Sequence, residues 1–486
     1  MYSIRPVTIL LSLLTVLILL GLISILFPSS GVVSIGGMKI HFLTLEKIKQ
    51  STPHGNEQKE SEVNDLLSFI DTSAFTNIET DIQTIENDSL AIVNNVDQRI
   101  RAQVIQHLEF AESDTTRLQS LFEKLTSGKP VRILHYGDSQ IEGDRMTGFL
   151  RQKLQSQFGG SGVGLIMPFN LYNTNAYVLN VSPEWKRYTG FSAIDPAVKH
   201  KRYGVMASFS RFTEIETDSV DPLPVTAWIE VGASKNAYGN AQRFSSATLM
   251  YGNCKDSVSL KIMAGDKEIY SSLLNSDGAY HTITVKASSV MLKYIFEGNQ
   301  SPDIYAFSLE GDGGVMIDNI ALRGSSGTFF NGLDQNLQSS MFNDLGVELF
   351  ILQFGGNTIP YISDTNAVNE YCRGFERQMT RLKKLRPQAD IIVIGPSDMS
   401  TKIEGSFKSY PLLTDVITGM KQAAFNAGAA YWDMYTAMGG ENSMPVWVAK
   451  DLAGDDHTHF SPAGSKYIIQ MFYDALMVEY QHYSSQ

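Results

Sequence analysis

The sequence predicts an α/β protein: a parallel sheet, covered by helices on both faces, is interrupted by a β-sandwich and preceded by a transmembrane helix. Three observations predict it. In the C-terminal part, short buried β-type runs alternate with helical patterns, as in a parallel sheet wrapped on both sides. In the middle of the chain helical periodicity stops, and short alternating runs take over at the spacing of a sandwich. At the N-terminus, the run 7–27 is almost unbroken in apolar residues and reaches the about 20 that cross a bilayer core.

Each element follows in order. Residues 1–36 read as a membrane anchor and its flank, because the apolar run exceeds a signal-peptide core and no Ala-x-Ala cleavage site follows. Arg5 lies before the run and Lys39, Lys47 and Lys49 after it, so loop charge does not decide the orientation. Residues 37–99 are polar, acidic and poor in aromatics, which reads as a spacer with a short strand around 38–45.

Residues 100–168 read as the first part of the α/β domain: a helical pattern over 100–125, a β-type run over 131–136, and a helical pattern over 148–154. Between the last two lies Gly137-Asp138-Ser139-Gln140. This places one serine on a tight strand-to-helix turn, at the carboxyl edge of a sheet. Such a position suits a nucleophile, because nearby backbone N–H groups can stabilise an oxyanion. Gly-Asp-Ser is equally good turn and N-cap chemistry.

Residues 169–314 read as the inserted β-sandwich, with strands over 225–231, 247–251, 257–262, 281–285 and 290–296 separated by Gly, Asn, Asp and Ser turns. Residues 315–486 read as the second part of the α/β domain. The run 315–322 leads into the turn Arg323-Gly324-Ser325-Ser326-Gly327-Thr328, and the buried run 349–354 ends on Gly355-Gly356-Asn357-Thr358. A backbone N–H at Gly327 and the amide of Asn357 are the groups that stabilise a tetrahedral oxyanion, each typically worth about 2.7–4 kcal/mol in the transition state. Taken singly, both segments are ordinary turns. A helical pattern over 368–385 stops at Arg386-Pro387, and a buried strand over 391–394, a helix over 412–425, a strand over 429–433 and a final helix over 465–480 follow.

Ahead of that last helix stands Asp455-Asp456-His457-Thr458-His459. Asp456 and His459 are three residues apart and share one side of a turn. A serine hydroxyl needs a base, and a histidine base benefits from a carboxylate that fixes its tautomer. The segment also reads as a loop capping the final helix, with Ser461 as N-cap and Pro462 at the first helical position. A closed metal site would need further ligands, and no matching Cys or His cluster exists, so neither metal nor cofactor is expected.

In chain order, Gly137-Asp138-Ser139, then Gly327 in its Gly-rich turn, then Gly355-Gly356-Asn357, then Asp456-His457-Thr458-His459 resemble the successive blocks of the SGNH (GDSL-type) hydrolases. The resemblance implies a flavodoxin-like, three-layer α/β/α domain and an esterase activity. It carries Ser139 over as nucleophile, His459 as base and Asp456 as the acid that orients it. Ser139, Gly327 and Asn357 would form the oxyanion hole. Two positions depart from the pattern. Thr358 stands where many members have Asp, and no Asp or Arg follows Gly327, which leaves Gly324 as a rival. The inserted β-domain resembles the jelly-roll, carbohydrate-binding-like module of periplasmic peptidoglycan O-acetylesterases. That implies an acetylated glycan as substrate and a periplasmic body, with Trp185, Tyr188, Tyr203 and Trp228 as sugar-stacking or core residues. The alternatives are an O-acetyltransferase using the same triad and a non-catalytic glycan-binding protein of the envelope.

Composition narrows the partners. The formal net charge of −12, from 39 Lys and Arg against 51 Asp and Glu, argues against a nucleic-acid footprint. The two cysteines, Cys254 and Cys372, fall in different expected domains, and no disulfide is expected from them.

Overall fold

The computed structural model describes residues 32–35, 38–41 and 105–485, apart from 115, 117, 171, 173, 216–222 and 288–290. The chain divides into two units, 1–86 and 87–486. In the first, Val32–Ile35 and Met38–His41 pair as antiparallel strands. The apolar run 7–27 and most of the expected spacer lie outside the described residues. Among the described residues, no helix is long and apolar enough to cross a membrane.

The second unit is built on a sheet of β1 (Leu108–Glu109), β2 (Val131–Gly137), β3 (Val315–Ala321), β4 (Val347–Gln353), β5 (Asp390–Ile394) and β6 (Ala430–Trp432), in the order β3-β2-β4-β5-β6-β1. All neighbours are parallel except β1, which runs antiparallel to β6. The order reverses at β2, because the chain adds β3 on one side and later β4 on the other. Ligands of open α/β sheets bind beyond the strand ends at such a switch point. Gly137 is level with Ala321 on one side and Gln353 on the other, so three carboxyl ends open onto the same place.

The helices are α1 (Gln119–Thr126), α2 (Thr147–Phe158), α3 (Gln335–Asp344), α4 (Thr365–Leu385), α5 (Leu413–Asn426), α6 (Met434–Met438), α7 (Ser443–Ala449) and α8 (Pro462–Ser484). The strands are buried on both faces, and their side chains alternate between two cores. Leu134, Tyr136, Phe350, Leu352, Ile391 and Val393 pack with α3, α4 and α5. Ile133, Leu349, Ile351, Ile392, Ile394 and Trp432 pack with α1, α2 and α8. This two-sided burial explains why β4 and β5 read as continuous apolar runs. Capping sets the helix starts: Asp364 accepts from the Ala367 N–H (2.9 Å) at α4, and Ser461 accepts from the Gly464 N–H (3.1 Å) ahead of Pro462 at α8.

One expectation is corrected. Among the described residues of 100–125, the helical pattern gives a helix at Gln119–Thr126 alone, while Leu108–Glu109 is extended and pairs with Trp432 and Tyr431. Covering the otherwise open edge of β6 outweighs local helical preference there.

The inserted region forms two antiparallel sheets. One contains Ser246–Gly252, His281–Lys286, Asp303–Glu310, Ser208–Arg211 and Lys186–Thr189; the other contains Lys267–Leu273, Val258–Ala264, Leu292–Gly298, Val225–Ala233 and Tyr177–Val181. Gly164–Ile166 pairs with Asp303–Glu310, so the sandwich also draws on residues ahead of 169. Ile229, Leu249, Leu260, Tyr294, Phe296 and Phe307 fill its own core. Of the four aromatics singled out, Trp185, Tyr188 and Tyr203 are buried, Trp185 lying edge-on to Phe212 and Phe296 at 5.5 Å each. Trp228 is half-buried beneath the Lys293 ammonium, 4.2 Å from its ring. Cys254 and Cys372 are free and buried.

A buried ionic network joins sandwich and sheet. Arg132 on β2 donates from Nε and Nη2 to Asp318 on β3 (2.7 and 2.8 Å), from Nη1 to Glu310 (2.6 Å) and from Nη2 to Ser308 (3.0 Å). Asp318 also accepts from the Leu165 N–H at 2.7 Å.

Candidate active site

The turn after β2 is held from beneath by polar groups on three neighbouring strands. His135 on β2 is fully buried, and burial pushes its imidazole down to about 4, so the ring is neutral at ordinary pH. It pairs with Gln353 Oε1 on β4 (3.1 Å) and accepts from Thr147 Oγ1 (3.0 Å). Asn319 on β3 donates to Thr147 Oγ1 (2.7 Å) and to the Ile141 carbonyl (2.9 Å), which fixes the short 3-10 segment Ser139–Asp144. Asp138 caps that segment by accepting from the Gln140 N–H at 2.9 Å.

Ser139 thus stands at the end of β2, half-buried, and meets the last of the sequence-predicted segments. Its Oγ lies 2.7 Å from His459 Nε2, and His459 Nδ1 lies 2.7 Å from Asp456 Oδ2. The other carboxylate oxygen of Asp456 accepts from the backbone N–H groups of Thr458 and His459, each at 3.0 Å. Burial pulls the Asp456 carboxyl upward, but these hydrogen bonds and the one from the His459 ring outweigh it and hold the group below its ordinary value. Ionised Asp456 therefore accepts a hydrogen bond from the Nδ1–H, and Nε2 is left with its lone pair toward the serine.

The two candidate oxyanion donors downstream are near but engaged. Asn357 Nδ2 donates to Asp138 Oδ2 (3.0 Å) and to the Ser325 carbonyl (3.2 Å). The Gly327 N–H points at Ser325 Oγ (3.2 Å), within its own turn. Asn357 lines the same cleft as Ser139 and His459; Gly327 is not among its lining residues and packs close to Phe354 and Phe375. Gly327 has φ of 79°, and a Cβ there would come within 2.7 Å of the Phe354 ring, so only glycine fits. Asp138 is buried beside Asn357. Desolvation pushes its carboxyl up to about 6, against the pull of the Gln140 N–H, the His459 charge and the Asn357 amide.

Several supporting residues escaped sequence reasoning. Gln140 clamps the Asp456–His459 loop, donating from Nε2 to the Thr458 carbonyl (2.7 Å) and accepting from the Phe460 N–H (3.3 Å). The Gly454 N–H donates to the His459 carbonyl (2.8 Å), closing the loop on itself. A hairpin of Ser400–Ile403 and Ser406–Ser409 braces it from outside: the Ser400 N–H donates to the His457 carbonyl (3.1 Å), and Phe407 stacks on the His457 ring at 3.5 Å. Arg323 pairs with Glu142, tying the Gly-rich turn to the serine turn. Gln140 adjoins the serine in sequence, but its partners lie 318 and 320 residues away, and no local pattern announces them.

The cleft over Ser139 has a volume of about 180 Å³. Neutral hydrogen-bonding groups of Gln140, Asn357, Ser397 and Thr458 share its walls with Phe354, Met399 and Met434. It can hold a small carbonyl group with its carbon beside the serine and its departing oxygen beside the histidine.

No protein-family model matches the sequence, and no curated protein matches it. Solved structures do. A peptidoglycan O-acetylesterase superposes with a TM-score of 0.59 at 20% identity, over 77% of this chain and 99% of that one. An acetylxylan esterase from Geobacillus stearothermophilus (TM-score 0.25, 15% identity, 34% of this chain and 73% of that one) aligns less well. So does a family two carbohydrate esterase from Cellvibrio japonicus (TM-score 0.23, 10% identity, 63% and 98%). Only the first superposition bears on the fold. By it, this chain shares its α/β fold with a peptidoglycan O-acetylesterase, in keeping with the fold implied by its resemblance to the SGNH hydrolases.

Proposed function

We propose that this chain is a serine esterase that removes O-acetyl groups from a carbohydrate of the cell envelope, through an acetyl-enzyme. One observation carries the reading: two 2.7 Å hydrogen bonds run in line from Ser139 through His459 to Asp456, at the carboxyl end of the strand where the sheet order reverses. The cleft supports a short acyl group, since about 180 Å³ is well below the roughly 300 Å³ at the small end of ordinary ligand pockets. The fold shared with a peptidoglycan O-acetylesterase supports an envelope glycan. The apolar run 7–27 supports a membrane tether, and the periplasmic side for the body rests on the resemblance to periplasmic peptidoglycan O-acetylesterases.

The chemistry follows from the hydrogen bonds. His459 Nε2 takes the Ser139 proton as Oγ bonds to the acetyl carbonyl carbon, and Asp456 supports the imidazolium. The carbonyl oxygen becomes an oxyanion, stabilised by the Ser139 N–H and by Asn357, which turns one amide hydrogen away from the Ser325 carbonyl. Gly327 contributes when its N–H leaves Ser325 Oγ. The tetrahedral centre collapses, the C–O bond to the sugar breaks, and His459 gives its proton to the departing sugar oxygen. Water then attacks the acetyl-enzyme with His459 as base, and acetate and free Ser139 result. The steps balance without a metal or organic cofactor.

The test is acetate release from O-acetylated peptidoglycan and from 4-nitrophenyl acetate by the full chain. Ser139→Ala and His459→Ala should each lower kcat by at least about 10³-fold. Parental activity that survives both substitutions would remove the reading.

A further inference from the structure

An aromatic ring left in water at the mouth of a reactive cleft calls for a cover. Tyr361 is 85% exposed, yet it lines the same cleft as Ser139 and His459. The cleft's other aromatics, Phe354 and Tyr410, are buried and half-buried. Tyr361 does not sit on a loose tip. It closes the 3-10 turn Ile359–Tyr361, its N–H donates to the Thr358 carbonyl (2.9 Å), and Pro360 restricts the backbone just before it. The buried side chain of Ile359 anchors the turn directly behind Asn357. The Tyr361 backbone is therefore held in place, and its exposed ring lines the cleft together with the candidate oxyanion donor Asn357.

The chemistry around it narrows the occupant. Gln140, Asn357, Ser397 and Thr458 offer neutral amide, hydroxyl and backbone groups, the Asp138 carboxyl adds acceptors that are already bonded to Gln140 and Asn357, and among the described residues no lysine or arginine lines the cleft. A phosphorylated or carboxylated ligand would ask for a cation, and a long acyl chain would ask for more apolar volume than this cleft has. One flat aromatic face beside neutral donors and acceptors fits a pyranose ring, which presents a C–H face for stacking and hydroxyl edges for hydrogen bonds.

We propose that Tyr361 is the platform of a sugar subsite: the pyranose ring that bears the ester lies on the Tyr361 face while its acetyl group enters the cleft toward Ser139. This inference rests on the esterase reading and names the part of the substrate that the reading leaves open.

The experiment compares the full chain with Tyr361→Ala and Tyr361→Trp on two probes, O-acetylated peptidoglycan and 4-nitrophenyl acetate. The ratio of kcat/KM on the glycan to kcat/KM on the small ester should fall about tenfold in Tyr361→Ala, chiefly through KM, as expected for about 1.4 kcal/mol of lost stacking. Tryptophan should restore most of it. An unchanged ratio, or an equal fall on both probes, would overturn the subsite. Co-sedimentation with insoluble O-acetylated peptidoglycan reads the same contact without turnover. Ser139→Ala should be retained, and the double variant Ser139→Ala/Tyr361→Ala should be retained about tenfold more weakly. If the parent hydrolyses neither probe, the esterase reading fails and co-sedimentation alone judges the subsite: equal retention of the two variants refutes it.

Discussion

Ser139 and His459 meet at 2.7 Å, but two different kinds of structure hold them there. Ser139 leaves a strand in the interior of the sheet and rests on a polar layer of buried His135 and Gln353 and half-buried Asn319. His459 rides on a surface loop. The Asp456 side chain beside it is 53% exposed, and the loop keeps its shape through Gln140 on one side and the Phe407 hairpin on the other. The nucleophile's position is a property of the sheet, while the base's position depends on a few contacts to a surface loop. The carboxylates repeat the contrast: burial drives Asp138 up to about 6, whereas hydrogen bonds hold Asp456 below its ordinary value despite its partial burial.

The strongest attack on this comparison is Asp456→Ala. It should lower kcat on the order of 10³-fold, somewhat under the about 10⁴ that a buried triad carboxylate commands. The urea midpoint should hardly move. A large loss of stability would show that the loop belongs to the fold after all.

Next comes Asp138→Asn, read as stability against pH. The folded carboxyl holds its proton up to about 6, while the unfolded one gives it up near 3.8. Folding therefore takes up a proton between those values, and the group's contribution to stability is lost as pH rises from about 4 to about 6. Asparagine has no such slope. Relative to the parent, the variant should gain on the order of 3 kcal/mol between pH 4 and pH 7, by 1.36 kcal/mol per unit. Equal differences at the two pH values in denaturant titrations would contradict the burial argument.

The smallest effect sharpens the comparison most. Gln140→Ala removes both clamps on the histidine loop while leaving the buried layer under Ser139 intact. We expect kcat to fall about tenfold, the cost of about 1.4 kcal/mol, with unfolding nearly unchanged. If kcat holds, the Phe407 hairpin and the loop's own hydrogen bonds suffice to position it.

What was legible in the chain divides along the same line. The Val131–Gly137 strand, the serine after it and the strand–helix alternation from 315 onward could be read because each is local: apolar runs, caps and breakers within a few residues. Ser139, His459 and Asn357, named from sequence, line the cleft, Asp456 reaches it through His459, and Gly327 packs against Phe354 of its wall. The hairpin Ser400–Ile403 with Ser406–Ser409 went unread, because its strands are short, mostly polar and draw their meaning from His457. Leu108–Glu109 went unread because pairing with β6, more than three hundred residues on, decides its conformation. The engagement of Asn357 and Gly327 with Ser325, each at 3.2 Å, depends on how separate turns meet and leaves no trace in residue type.

The network around Arg132 bears on how such a chain can change over evolutionary time. An insertion written as one continuous stretch invites the thought of a cassette, added late and removable at will. Here Glu310 and Ser308 come from the sandwich, Leu165 from the strand that joins it, and Arg132 and Asp318 from the sheet beneath Ser139. Lifting the cassette out would take Glu310 and Ser308 from Arg132 and the Leu165 N–H from Asp318, leaving their buried polar groups short of partners. Recombination could swap such a module only together with its docking charges, so sheet and sandwich would be inherited as one piece.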